Sequence, residues 1–180
     1  MPRVPYQPSD IAEPKDLVAS IRARRGGSLL NLDRMLLHSP AFAKGWNAML
    51  REVRQELSLS PKLRELAICL VAVLNGAEYE FYHHAPEFLK AGGTQAQVDA
   101  LHRFETLETS MSLFSAAERS VIQLTIAMSR NVQVDEPVFA AVRSALPSHQ
   151  HVVELVGTIA TYNMVSRFLV ALGIKPEDSA

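Results

Sequence analysis

Residues 60–93 read SPKLRELAICLVAVLNGAEYEFYHHAPEFLKAGG, and this stretch decides the fold. Ser60-Pro61 is a helix start, with serine at the cap and proline at the first helical position, where its missing N–H is no loss. From Pro61 to Leu74 the side chains are apolar almost all round, which marks a central buried helix. Asn75-Gly76 interrupts it, and a second helix then runs until Gly92-Gly93 stops it. That second helix carries Glu78, Glu80, Glu87, the adjacent His83 and His84, and the aromatics Tyr79, Phe81, Tyr82 and Phe88. It is therefore either the wall of a catalytic site or a wet helical face.

The rest of the chain repeats the same grammar. Asp16 to Arg25 reads as a short first helix stopped by Gly26-Gly27. Ser39-Pro40 opens a helix to about Leu57, with Phe42, Trp46, Met49, Leu50 and Val53 on one stripe. Thr94 with Gln97 and Ser115 with Glu118 are capping boxes, the first opening a short helix to about Phe104. Asp135 caps a further helix, and Ser148 begins a last one that Gly173 and Pro176 close. No alternating run of β-branched residues competes, so the fold class is all-α. Residues 60–76 also align with SAAERSVIQLTIAMSRN, residues 115–131, as a Ser cap, a charged first turn, an apolar helix and an Asn-containing break. Two weakly related helical halves sharing one core are expected.

Residues 1–14 hold Pro2, Pro5, Pro8 and Pro14 and form a Pro-rich arm that cannot be helical throughout. The remainder, 15–180, reads as a single domain, long enough to bury about two-thirds of its unfolded surface. With 18 Lys plus Arg against 19 Asp plus Glu the formal charge is -1, and neither sign forms a run of five or more. Nucleic acid and membrane are poor partners for such a chain. The longest unbroken apolar run, Leu66 to Leu74, is too short to span a bilayer, and MPRVPYQPSD lacks an export-type apolar region. A cytoplasmic protein is expected. Its one cysteine, Cys69, lies in that apolar run and reads as a packing residue, with no intrachain partner for a disulfide or a redox pair.

On a helix Ala77, Glu80 and His84 share one face, while His83 meets Tyr79 and Glu87 on an adjoining one. Glu65 is an acid in a helix flanked by Leu63, Leu66, Ala67 and Ile68. Its ordinary role is a first-turn carboxylate beside Arg64, and that of Glu80 with His84 is a solvated pair. The other role is chemical, since a carboxyl held in apolar surroundings exchanges protons near neutral pH. Glu80-x-x-His83 is an element of di-iron bundles, but no second copy exists. No cofactor is expected; the one metal alternative is a mononuclear site from Glu65, Glu80 and His84. His149 and His151 read as solvated residues near a helix start.

Glu65, Ala77-Glu78-Tyr79-Glu80-Phe81 and His84 resemble the carboxymuconolactone decarboxylase and alkyl hydroperoxidase D superfamily. Its hydroperoxidase branch carries Glu, eleven residues, Cys-x-x-Cys, three residues, His. Glu65 falls on the proton-relay glutamate, Ala77 and Glu80 on the two cysteines, and His84 on the histidine. The late string YNMVSRFLVALGI is similar to the closing helix of longer members, so the likeness covers roughly residues 30–175. It implies an alkyl hydroperoxidase D-like helical bundle and a homo-oligomer, with trimers and hexamers common. Both thiols are absent here, which argues against a thiol peroxidase. The resemblance implies instead a decarboxylase-type enzyme acting on a small carboxylated lactone or aromatic-catabolism substrate. In it His84 would be the acid or base, with Glu65 setting its protonation and Glu80 and Tyr79 beside them. Arg167 would anchor a substrate carboxylate and His83 would contact substrate. Glu80 suits an anionic substrate only if protonated or turned away. A hydroperoxidase-related oxidoreductase and a non-catalytic binding or assembly protein of the same fold are the alternatives.

Overall fold

The structure, a computed structural model, describes residues 2–177. Among these residues there is no β-strand, as the helical patterning requires. By their contacts the described residues form two compact units, residues 2–57 with 171–177 and residues 58–170.

In the first unit α1 (Lys15–Arg25) and α2 (Asn31–Leu36) each pack on α3 (Pro40–Gln55). Ala43, Trp46 and Leu50 form the buried stripe of α3, spaced three and four apart as a helix facing a core demands. The stripe read from the sequence was wider, and Phe42 and Met49 prove exposed. Buried Asp33 fastens the α1–α2 corner: its carboxylate takes Arg25 Nε at 3.0 Å, Arg24 NH2 at 3.5 Å and the Leu30 N–H at 3.0 Å. The short α2 was not anticipated, because six residues carry too little periodicity to announce a helix. The proline-rich arm is non-helical and lies on its own unit. The Gln7 carbonyl accepts Arg34 Nε at 2.6 Å, the Pro5 carbonyl meets His38 Nε2 at 2.7 Å, and Tyr6 Oη accepts the Lys175 N–H at 3.1 Å.

The second unit is built around α4 (Pro61–Leu74), whose residues Leu66 to Val71 are wholly buried. Burial of each large apolar side chain here is worth about 1.5–3 kcal/mol. Gly76, with φ 65°, makes the left-handed step that ends α4 and admits α5 (Glu78–Lys90) beside it. The break lets the Ala77 N–H reach the Ala72 carbonyl at 2.8 Å, closing the helix end. After α5 come α6 (Gln95–His102), a 3-10 segment (Phe104–Leu113), α7 (Ala116–Arg130), α8 (Glu136–Ala145) and α9 (His149–Leu172). α4 packs on α5, α7 on α8, and α4 on α7, so the two related helix pairs meet through their central members.

Both capping boxes form as read. Thr94 Oγ1 accepts the Gln97 N–H and Gln97 Oε1 accepts that of Thr94; Ser115 and Glu118 do the same. Asp135 precedes α8 without a side-chain cap bond. The 3-10 segment was not foreseen. In it Thr106 and Thr109 donate to carbonyls three residues back, and Gln97 Nε2 ties down its last carbonyl at Leu113. α9 is long and apolar enough to cross a membrane by composition. Its buried side nevertheless carries Thr158, Asn163 and Ser166 with their hydrogen bonds made, as in a core helix.

Candidate functional site

Three helices of the second unit bring the acids and the imidazole together. From α4 comes Glu65, from α5 come Glu80 and His84, and from α9 come Tyr162 and Ser166. Glu80 and His84 lie one turn apart on α5, and Ser166 and Tyr162 one turn apart on α9. The pairs face each other in reverse order, Glu80 with Ser166 and His84 with Tyr162. Tyr162 meets the imidazole edge-on at 5.0 Å between ring centroids, with an interplanar angle of 86°.

The central contact is between His84 Nδ1 and Glu65 Oε2, 2.6 Å apart and buried. Glu65 is 3% exposed and His84 6%, so water does not screen this pair. The second oxygen of Glu65, Oε1, lies 3.4 Å from Arg64 Nε. A carboxylate on Nδ1 fixes the imidazole tautomer and orientation. Any proton that His84 exchanges with a bound molecule then passes through Nε2.

Glu80 is set differently. It is 2% exposed, its Oε1 lies 3.0 Å from Ser166 Oγ, and its Oε2 has no hydrogen-bond partner among the described residues. Burial pushes its carboxyl well above the usual range. Cys69, one turn beyond Glu65 on α4, is also fully buried. Burial first, then the fields of Glu65 and Glu80, push its thiol up. It packs as expected, but beside the two acids rather than apart from them.

The other sequence candidates are placed around this group. Tyr79 is buried and packs against His83, at 4.5 Å between ring centroids and tilted by 53°, on the neighbouring face of α5. His83 is half-buried between Tyr79 and Tyr82. Arg167 is not brought to the pair: it is exposed, and its NH1 donates to the Asn163 carbonyl at 2.9 Å and to Asn163 Oδ1 at 2.8 Å. The reason is helical phase, since Ser166 takes the inward position and its neighbour must point elsewhere. The mononuclear metal set of Glu65, Glu80 and His84 is not assembled either: among the described residues, no group of three or more His, Cys, Asp or Glu could hold a metal ion. His151 lies in the first turn of α9, where its Nδ1 is 2.7 Å from Ser148 Oγ. Sequence reasoning missed Tyr162 and Ser166, although both lie in the string that drew attention to Arg167. Their spacing of four was the available signal.

Residues 40–109 match the model of the carboxymuconolactone decarboxylase family. Comparison with curated proteins gives no match. Among solved structures, the chain is similar to an uncharacterized peroxidase-related protein from Silicibacter sp. TM1040, with a TM-score of 0.82 and 16% identity over 98% of this chain and 92% of that one. It is similar also to the alkylhydroperoxidase AhpD core of an uncharacterized peroxidase-related protein from Ralstonia eutropha JMP134, with TM-score 0.82 and 17% identity over 98% and 93% of the two chains. A third is a cysteine-to-alanine variant of the debrominase Bmp8 in complex with 2,3,4-tribromopyrrole, with TM-score 0.79 and 17% identity over 97% and 92%. At such identities the structural likeness carries the fold. The family match thus covers residues 40–109, and the chain as a whole shares the alkyl hydroperoxidase D-like helical fold of these structures. Ala77 and Glu80 stand where the resemblance places the cysteine pair of the thiol branch.

Proposed function

We propose that this chain is an enzyme of the carboxymuconolactone decarboxylase type that moves a proton on a small organic substrate. His84 is the acid or base, acting through Nε2; Glu65 orients the ring and balances the charge it acquires. The observation that supports this best is the buried 2.6 Å contact of His84 Nδ1 with Glu65 Oε2. A carboxylate–imidazole pair withdrawn from water is costly to bury, and titratable groups held together in low dielectric gather at functional sites. Small ring compounds are the substrates to test first, because Tyr79 and Tyr162 give the surroundings an aromatic character and the related debrominase holds a pyrrole.

The hydroperoxidase reading has no pair of thiols to support it, and the single thiol is buried and held protonated. The test is a panel of lactones, β-keto acids and phenols followed for carbon dioxide release and for solvent-deuterium exchange. A substrate turned over by the natural chain should lose about 10²–10⁴ in rate with His84→Asn. Turnover unaffected by that change would move the chemistry elsewhere. No turnover on any member, with binding retained, would favour a binding protein of the same fold.

A further inference from the structure

Ser166 lies within hydrogen-bonding distance of two oxygens, the Tyr162 carbonyl at 2.8 Å and Glu80 Oε1 at 3.0 Å. A serine hydroxyl has one proton, and a peptide carbonyl can only accept. When that proton serves the nearer Tyr162 carbonyl, the Glu80 contact is a hydrogen bond only if Glu80 supplies the proton. Oε1–H then donates to Ser166 Oγ, and Oε2 is left as a carbonyl-type oxygen. That oxygen is buried and without a partner among the described residues. A buried acceptor left unmatched costs about 1–3 kcal/mol, which a bound donor would recover.

We propose that Glu80 Oε2 is the acceptor for the O–H or N–H of a small uncharged ring ligand, such as a phenol, an enol or an N–H heteroarene. The inference deepens the function proposed above and rests on it for the ligand being a substrate. The surroundings fit an uncharged guest. Glu65 from α4 is matched by His84 and Arg64, Cys69 from α4 stays a thiol, and Tyr162 from α9 adds an aromatic edge. Arg167, which a carboxylate would need, is exposed and engaged by Asn163. A ligand carboxylate would meet the lone pairs of Oε2 while Arg64 is engaged by Glu65 and Arg167 by Asn163, so Glu80 selects against the acids that Arg167 would have recruited.

The experiment compares phenol, anisole and benzoate by calorimetric and NMR titration of the full chain. Phenol has the donor, anisole the same ring without it, and benzoate the charge. Phenol should bind at least tenfold more tightly than either. Glu80→Gln keeps that preference, because its amide N–H can serve Ser166 and leave its carbonyl where Oε2 was. Glu80→Leu abolishes it. Infrared difference spectra of the natural chain against Glu80→Gln should show a protonated carboxylic acid near neutral pH, a readout that survives if Glu80→Leu does not fold. Equal binding of phenol and anisole, a preference kept by Glu80→Leu, or a carboxylate band at Glu80 would each overturn the proposal. Failure of the proton-transfer reading would show as turnover unaffected by His84→Asn, and failure of this one as equal binding of phenol and anisole, so the two are seen separately.

Discussion

His84 Nδ1 and Glu65 Oε2 stand 2.6 Å apart although nineteen positions of sequence separate the two residues. The left-handed step at Gly76 brings them together, by turning α5 back along the helix that carries Glu65. Neither group has water to fall back on, so each depends on the other.

Two substitutions of His84 should therefore part company in stability. Asparagine places an N–H near Glu65 Oε2 and should be tolerated within about 1 kcal/mol. Alanine removes the imidazole donor from Glu65 and should cost about 1–3 kcal/mol. Urea denaturation of the two variants reads the difference directly, and an alanine variant as stable as the natural chain would show that the contact carries no energy.

Glu80 should give the protein a pH dependence of its own. Its folded carboxyl lies well above the ordinary range, chiefly through burial. Between the ordinary carboxyl range and the raised folded value, the native state holds a proton that the unfolded chain has released, so stability falls as pH rises, by up to about 1.4 kcal/mol per pH unit. Glu80→Gln cannot ionise and should flatten this decline. Unfolding curves at a series of pH values from 5 to 8 should diverge, with the glutamine variant gaining on the natural chain at the alkaline end. Parallel curves would place the carboxyl back in its usual range.

Dithiol-driven reduction of alkyl hydroperoxides should stay at background. A peroxidatic thiol must be ionised and accessible, and Cys69 is neither. A rate clearly above background that disappears in Cys69→Ser would restore a one-cysteine mechanism.

Gly93 is a packing constraint as well as a helix stop. A Cβ there would come within 2.7 Å of the ring of Phe88, itself fully buried. Gly93→Ala should cost about 1–3 kcal/mol by overpacking, seen as a lowered melting temperature. The same change combined with Phe88→Leu should recover part of the loss; a fully additive pair would mean that the two positions do not press on each other.

Much of this was legible in the sequence, for identifiable reasons. α4 declared itself by continuous apolar character, and the two capping boxes by side chains that bond locally, so both follow from a few neighbouring residues. Glu65, Glu80 and His84 could be placed on facing surfaces because helical phase is fixed by spacing. The α2 turn and the 3-10 segment were not legible: α2 is too short to show a period, and the 3-10 segment is held by threonine hydroxyls bonding three residues back and by Gln97 from another helix. Arg167 shows the same boundary from the other side. It attracted attention by its charge, whereas position on α9 is set by phase, and phase turned Ser166 inward in its place.

Cys69 gives the molecule a built-in clock. It is the chain's single thiol, fully enclosed on the central helix within reach of both acids. A thiol reagent cannot reach it until the helices around α4 separate, so the rate of labelling measures how often that separation occurs. No probe need be introduced, and no other sulfhydryl confuses the signal. Because the thiol sits beside the groups that would hold a ligand, anything that binds there should slow the clock, and compounds could be ranked by their grip on the site before any reaction is known.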